Sequence, residues 1–347
     1  MENNIKLSFI VPCYNVEKYI KDCLDSLLAQ DIPESEYEVI CVNDCSTDCT
    51  RGIILDYKRK HPNIVLIDHD TNKKLGLTRN SGLKIAQGKY VWFIDSDDYI
   101  ENNVIRRLIN EMEESELDIL NFELSRVDKS NVVTKRKIAD TTDVIRGSQF
   151  IHQFGENWQI NGSAYTKIFR RSYLESRNLF FSKSSYLEDQ IYSLRALFFA
   201  KRFKHIEAYF YYYRFNPNSI LNTKMTSDKY RSVFLLASDL FIFSHEIEEE
   251  DKKLYSSVNE IALWYLNSVL KQFIFLKRID RNAVILFFKE EMPAILKSGY
   301  FRGFKYQLLS HLELLNKSFF VISPLLRLVR QCKRRTINRL LNSRVKK

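Results

Sequence analysis

Between Leu7 and Asp95 the sequence alternates four times between a short apolar run and a stretch with helical spacing, and this limits the possible folds more than any other property of the chain. The runs Leu7–Cys13, Tyr37–Asn43, 64–69 and 90–94 have the length and content of buried strands. Between them lie three helical patterns. The first covers 16–29, with Tyr19, Ile20, Cys23, Leu24, Leu27 and Leu28 on one face. The second runs to Lys60 after a helix-capping Ser46-Thr47-Asp48, and the third covers 77–86, with Gly88 stopping it. Helical crossovers of this kind are right-handed and join parallel strands. The sequence therefore predicts a parallel α/β sheet covered by helices on both faces.

Such a sheet delivers the polar end of every strand to one edge, where open α/β sheets bind ligands. Asn15 and Glu17, Asn43 and Asp44, His69 and Asp70, and Asp95 and Asp97 should line that rim. The last strand runs straight into Asp95-Ser96-Asp97-Asp98. Carboxylates this close resist joint ionisation unless a cation joins them, and hard oxygen ligands suit Mg²⁺ or Mn²⁺. A metal-bound phosphate ester is one reading; the other is an acidic loop in which Asp97 or Asp98 caps a helix over 100–112. The first turn, Pro12-Cys13-Tyr14-Asn15-Val16-Glu17, has no G-x-G-x-x-G, and no G-x-x-x-x-G-K-[ST] occurs. Phosphates here would depend on a metal rather than on a glycine cradle.

At 347 residues, 45% hydrophobic and 28% charged, the chain suits two packed units of a soluble protein. No run approaches the roughly 18 apolar residues of a membrane span, and the N-terminal residues lack a signal-peptide pattern, so a cytoplasmic protein is expected. Six cysteines fit reduced thiols there. Cys41, Cys45 and Cys49 do not make a zinc site, because Cys41 lies inside a strand and no second pair completes the ligand set. Residues 1–100 carry 12 basic and 16 acidic groups, whereas 301–347 carry 12 basic and one acidic. The net charge of +10 therefore belongs to the end of the chain and says little about the first domain's ligand.

Four motifs in order resemble the family 2 glycosyltransferases of the nucleotide-diphospho-sugar (GT-A) fold, in particular bacterial members of polysaccharide biosynthesis. They are Phe9-Ile-Val-Pro12-Cys-Tyr14-Asn15, Val42-Asn43-Asp44-Cys-Ser46-Thr-Asp48, Leu75-Gly76-Leu-Thr-Arg79-Asn80-Ser-Gly82 and Phe93-Ile-Asp95-Ser-Asp97-Asp98. Similarity continues through Tyr165-Thr-Lys167-Ile-Phe-Arg170-Arg171, Leu187-Glu188-Asp189 and Tyr211-Tyr-Tyr213-Arg214-Phe-Asn-Pro-Asn-Ser219, about two-thirds of the chain. The resemblance implies a Rossmann-like, mostly parallel sheet over residues 1–224, with a nucleotide-binding half (1–100) and an acceptor and catalytic-base half (101–224). A helical region, 225–347, follows. It implies a nucleotide-sugar donor, most simply a UDP-sugar, whose base meets Asp44 with Arg79 and the Pro12–Tyr14 backbone alongside. Asn15 and Glu17 would belong to the same donor site. Asp95 would lie near ribose and metal, and Asp97 would be the direct ligand of Mn²⁺ or Mg²⁺. Cys45 departs from the pattern, which has glycine there; if the position needs φ > 0, the loop around Asp44 is strained.

In the second half, Glu188 and Asp189 open a helical pattern with Ile191, Leu194, Leu197 and Phe198. Taken alone, two acids at a helix start are partners of its dipole. By resemblance Asp189 is the base that takes the acceptor hydroxyl's proton in an inverting transfer. Trp158, Tyr165, Lys167 and Glu188 are candidates for acceptor contacts, and Arg214 for the diphosphate through its planar fork; packing and solvated charge are the competing readings. Helical patterns follow at 230–243, 254–275 and 283–296. In the tail, Leu325, Val329, Cys332, Ile337, Leu340 and Leu341 share a helical face, with Arg327, Arg330, Arg334 and Arg335 largely off it. That suits peripheral contact with an anionic membrane; domain packing is the alternative, and no motif supports nucleic acid. The acceptor implied is a glycan or a lipid-linked glycan. The rival functions are a metal-dependent nucleotidyltransferase, which lacks its basic glycine-rich loop here, and an inactive nucleotide-binding or membrane scaffold. The sequence does not specify an oligomeric state.

Overall fold

The structure, a computed structural model, describes residues 4–154, 162–182, 187–217 and 226–273. The expected alternation is present as β1 (Leu7–Cys13), α1 (Ile20–Leu28), β2 (Tyr37–Asn43), α2 (Thr50–Lys60), β3 (Ile64–Asp68), α3 (Leu75–Ile85) and β4 (Tyr90–Phe93). These four strands are parallel in the order β3-β2-β1-β4, with Leu7 opposite both Tyr37 and Tyr90. Each crossover returns the chain to the same end of the sheet, so the four strand ends share one rim.

Beyond β4 the sheet becomes mixed. Next along the chain come β5 (Tyr99–Ile100), α4 (Ile105–Glu114), β6 (Ile119–Val127), β7 (Val133–Arg136) and α5 (Gly147–Phe154). Then follow β8 (Lys167–Arg170), α6 (Arg171–Ser176), α7 (Glu188–Phe199) and β9 (Phe203–Arg214). The strand order continues β4-β8-β6-β9-β5, with β7 on β6. The pairs β4–β8, β8–β6 and β9–β5 are antiparallel, and β6–β9 is parallel. The sheet that begins with four parallel strands ending on one rim is thus extended by strands drawn from residues 99–214.

Both faces are covered. Leu7, Phe9, Val11 and Cys13 of β1 join one buried core with Ile20, Cys23, Leu24 and Leu27 of α1 and with Ile105, Leu108 and Met112 of α4. On the opposite face α3 lies against β1 so closely that a Cβ on Gly82 would stand 2.5 Å from the Ile10 side chain. Only glycine permits that approach.

The described residues fall into two compact units, one comprising residues up to 224 with Asp239–Val258, the other Met225–Ser238 with residues from 259 on. The helical patterns at 230–243 and 254–275 appear as α8 (Ser227–Ile247) and α9 (Lys252–Phe273). Among the described residues no helix is long and apolar enough to cross a membrane. The pattern at 283–296 and the basic amphipathic tail lie outside the described residues, as does Trp158.

One local expectation is corrected. The helix placed at 100–112 begins later, because Tyr99 and Ile100 pair with Tyr212 and Tyr211 as strand β5. Neither Asp97 nor Asp98 caps α4. Asp98 is instead buried, accepting hydrogen bonds from Tyr211 Oη (2.7 Å) and the Arg214 backbone N–H (2.8 Å). A carboxylate in that position needs donors from the sheet beside it, which a helix start one turn away would not supply.

Candidate functional site

The rim opens into a cavity of about 520 Å³ whose walls come from both halves of the first unit. Pro12 and Tyr14 enter it from the end of β1, Asp44 from β2, Arg79 from α3, and Asp95 and Asp97 from the end of β4. Ser163, Tyr165, Glu188, Asp189, Tyr213 and Asn216 complete it. Tyr14 remains half exposed there, an open aromatic face beside the backbone of Pro12.

Asp44 is held firmly. Its Oδ1 is 2.8 Å from His69 Nδ1 and accepts a 2.8 Å bond from the Lys73 N–H, and its Oδ2 accepts a 3.0 Å bond from the Lys74 N–H. Lys74 takes φ 72°, ψ 161°, a region close to glycine-only, so these bonds hold a strained turn at the start of α3. Cys45, one residue after Asp44, has φ 64°, as its place in a glycine pattern anticipated. It takes the left-handed conformation at a cost of about 1–2 kcal/mol.

Asn15 and Glu17, expected at the donor, are engaged elsewhere. Asn15 Oδ1 accepts from the Thr47 N–H (2.8 Å) and Glu17 Oε2 from the Cys49 N–H (2.9 Å), so both tie the loop after β1 to the loop after β2. Those amides at the start of α2 need acceptors, and two side chains one loop away supply them.

The acidic strand end behaves as crowded carboxylates should. Burial, and then the neighbouring Asp95, pushes the Asp97 carboxyl above its ordinary range; burial, Asp97 and Asp95 push Asp98 up further. Asp97 Oδ2 accepts from Asn216 Nδ2 (2.8 Å), and Asp95 Oδ1 from Arg79 Nη2 (2.7 Å). Among the described residues no group of three or more His, Cys, Asp or Glu could hold an ion by itself. An oxygen-only pair of carboxylates nevertheless fits Mg²⁺ or Mn²⁺ of the kind that completes its shell with phosphate oxygens.

Arg79 joins the two halves. Its guanidinium is 1% exposed, with Nη2 on Asp95 and Nη1 on Glu188 Oε1, each at 2.7 Å, and it lies over the Phe181 ring. Burial works against its charge, but Asp95, Glu188 and Asp189 more than offset that and hold it protonated. Glu188 is therefore a partner of Arg79, which removes it as a free acceptor contact. A Cβ on Gly76 would stand 3.0 Å from Glu188 Cγ and 2.9 Å from the Ser182 carbonyl, so the packing of α3 against the start of α7 admits little else at that position.

Asp189 stands in the first turn of α7, immediately after Glu188 and after Leu187, whose φ of 62° is left-handed. A bulky residue in that region is strained, and it sits where the chain turns its acids into the cavity. Burial, with Glu188 beside it, raises the Asp189 carboxyl to about 7, against the pull of Arg79. That value is near neutrality, where a proton acceptor works best.

Two further expectations are revised. Lys167 is fully buried, its Nζ donating to the Ser163 carbonyl (2.8 Å), and burial lowers its ammonium to about 7 against the pull of Asp189. It braces the wall of the cavity from behind and is not placed to touch an acceptor. Arg214 pairs with Asp22 (2.7 Å) and lies over the rings of Tyr19 and Tyr99, which makes it a fastener between α1 and β9 rather than a diphosphate fork. The sequence reading missed Asn216 as a partner of Asp97, although it lies in the Arg214-Phe-Asn-Pro stretch that carried part of the resemblance. It also missed Tyr211, whose hydroxyl accepts from the Asp95 N–H (3.2 Å) and donates to Asp98.

A mixed α/β sheet with a rim of strand-end carboxylates and a second acidic pair facing it has the outline of an α/β enzyme domain with one acidic cleft. Residues 8–177, just under half of the chain, match the family model of glycosyl transferase family 2, and that segment belongs to the family. It is 34% identical over 212 residues to the poly(ribitol-phosphate) beta-glucosyltransferase of Bacillus spizizenii, covering 60% of this chain and 32% of that protein. It is 33% identical over 227 residues to the uncharacterized glycosyltransferase EpsJ of Bacillus subtilis, covering 62% of each. These matches span from about a third to under two-thirds of the relatives' own lengths. The crystal structure of Staphylococcus aureus TarS 1-349 in complex with UDP-GlcNAc superposes with a TM-score of 0.64 at 25% identity, over 91% of each chain.

Proposed function

We propose that this chain is an inverting glycosyltransferase that moves a sugar from a UDP-sugar to a hydroxyl of a glycan or lipid-linked glycan. The relatives named for poly(ribitol-phosphate) make a polyol-phosphate chain a natural member of the acceptor class. The observation that carries the reading is the placement of Asp189 in one cavity with Asp44, Asp95 and Asp97. A single carboxylate near neutrality facing a nucleotide-type rim suits direct displacement; a hydrolase that retains configuration needs two flanking carboxyl groups in different roles.

In this mechanism Asp44, with Tyr14 and the Pro12 backbone, receives the base. Asp97, with Asp95, would hold Mn²⁺ or Mg²⁺, which when bound would supply positive charge to offset that of the leaving group. Arg79 holds Asp95 and Glu188 in place through one 2.7 Å contact to each. The acceptor oxygen then attacks the anomeric carbon as the bond from that carbon to the diphosphate oxygen breaks, and its proton passes to Asp189. Nucleoside diphosphate leaves with the bonding pair.

The test is a screen of nucleotide-sugars for metal-dependent release of nucleoside diphosphate, paired with UDP binding to Asp97→Ala. Binding that requires Mn²⁺ or Mg²⁺ and falls at least about 100-fold in the variant is expected, since a ligand's metal contact is lost outright. Metal-independent binding that ignores the substitution would remove the metal from the reading.

A further inference from the structure

The carboxylate of Asp44 is almost fully committed before any ligand arrives. A carboxylate offers about four acceptor directions. His69 and the Lys73 N–H take two on Oδ1, and the Lys74 N–H takes one on Oδ2. Among the described residues one direction is left, on Oδ2, in a residue that lines the cavity.

His69 determines what Asp44 can be. The two side chains are 3% and 4% exposed, and an ionised carboxylate donates nothing, so the 2.8 Å contact requires a proton on His69 Nδ1. On the other side of the ring, Nε2 stands 2.9 Å from the Ser81 hydroxyl, which also lies 3.1 Å from the Leu77 carbonyl of α3. The His69 N–H also donates to the Asn43 carbonyl at 3.0 Å, which fixes the ring's backbone beside the end of β2. Ser81, His69 and Asp44 therefore form a chain of hydrogen bonds from α3 through β3 to the cavity, directed so that its last member is an acceptor only.

We propose that His69 is the positioning residue that sets nucleobase specificity, by holding Asp44 as a single fixed acceptor that takes a base with an imide N–H and refuses one with a ring-nitrogen lone pair. This rests on the reading that Asp44 meets the base. Uracil and thymine present the N–H; cytosine presents a lone pair at the same ring position, which would face the carboxylate with no proton between them. A buried polar site built for one partner and offered the wrong one loses far more affinity than a shape mismatch costs.

The experiment measures binding of UDP and CDP to the full chain in the presence of Mn²⁺. The wild type should prefer UDP by at least about 100-fold. His69→Leu should lower that ratio tenfold or more. His69→Asn, whose amide nitrogen stands where Nδ1 stood, should keep most of it, and His69→Gln, whose amide reaches towards Ser81 instead, should behave like His69→Leu. The Asn and Gln pair keeps the test decisive if His69→Leu does not fold. If Asp44→Asn leaves the UDP to CDP ratio unchanged, the base does not lie on Asp44 and the underlying reading fails. If Asp44→Asn collapses the ratio while His69→Leu and His69→Gln preserve it, the base is on Asp44 and the role given to His69 is overturned.

Discussion

The two halves of the cavity solve opposite problems with the same functional group. On one side, at the strand-end rim, Asp44 accepts from His69 and two backbone N–H groups. On the facing side, burial and an adjacent Glu188 raise Asp189 to about 7, which favours its proton. One carboxylate is fixed in place by surrounding donors; the other is raised to where it can take a proton near neutral pH. Chemistry in such a site is assigned by environment, since the residue type is the same on both sides.

The largest expected effect breaks the second half alone. Asp189→Asn should lower kcat by about 10³-fold or more while leaving the Kd for UDP within a factor of about three, because it removes the proton acceptor without touching the rim. The same variant should be more stable than the wild type at pH 8. A carboxyl raised in the folded state binds its proton more tightly there than in the unfolded chain. Its contribution to stability therefore declines as pH rises from the unfolded value near 4 to about 7, and the amide escapes that loss. Full activity in Asp189→Asn would reassign the base.

Breaking the link between the halves comes next. Arg79→Met leaves the buried Glu188 and the part-buried Asp95 without their cation, which should destabilise the fold by about 3–5 kcal/mol and weaken donor binding as well. Glu188→Gln in the same background should recover part of the stability, and a thermal melt of the single and double variants reads the coupling. A smaller effect is the pH profile: the rate should fall about tenfold per unit below the Asp189 value near 7, and Lys167→Met, which removes a cation that draws that value down, should move the acid limb to higher pH. Smallest is Cys45→Gly, which relieves a left-handed φ and should change stability by no more than about 1 kcal/mol, in the stabilising direction, with UDP affinity retained.

The same contrast separates what could be read in the sequence from what could not. The parallel strands β1 to β4 and their acidic ends announce themselves because strand length, crossover helices and polar termini are local patterns with a period. The rim positions of Asp44, Asp95 and Asp97 were legible in that way, whereas Arg79 stood out only through the family resemblance. Pairings across long separations have no such signature: Arg79 meets Glu188 across 109 residues and Asn216 meets Asp97 across 119. Asp98 illustrates the cost of local reasoning. Near a helical pattern an acid reads as a cap, yet the strand formed by Tyr99 and Ile100 turns it into the sheet to accept from Tyr211 and Arg214. Arg214 and Lys167 were misread for a related reason. A basic residue in sequence looks available, and only tertiary packing shows Arg214 stacked between two tyrosines and Lys167 sealed behind a wall.

The bridge made by Arg79 bears on how enzymes of this architecture can be recombined. A donor half transplanted onto a different acceptor half inherits a buried guanidinium with one carboxylate, Asp95, on its own side and a vacancy on the other. Chimeras that bring an acid to the position of Glu188 should assemble, and those that bring an apolar residue should not, whatever their acceptor. The inheritable unit is therefore the four parallel strands with their helices together with one glutamate from the following segment, and an exchange of that segment has its natural seam just beyond Glu188.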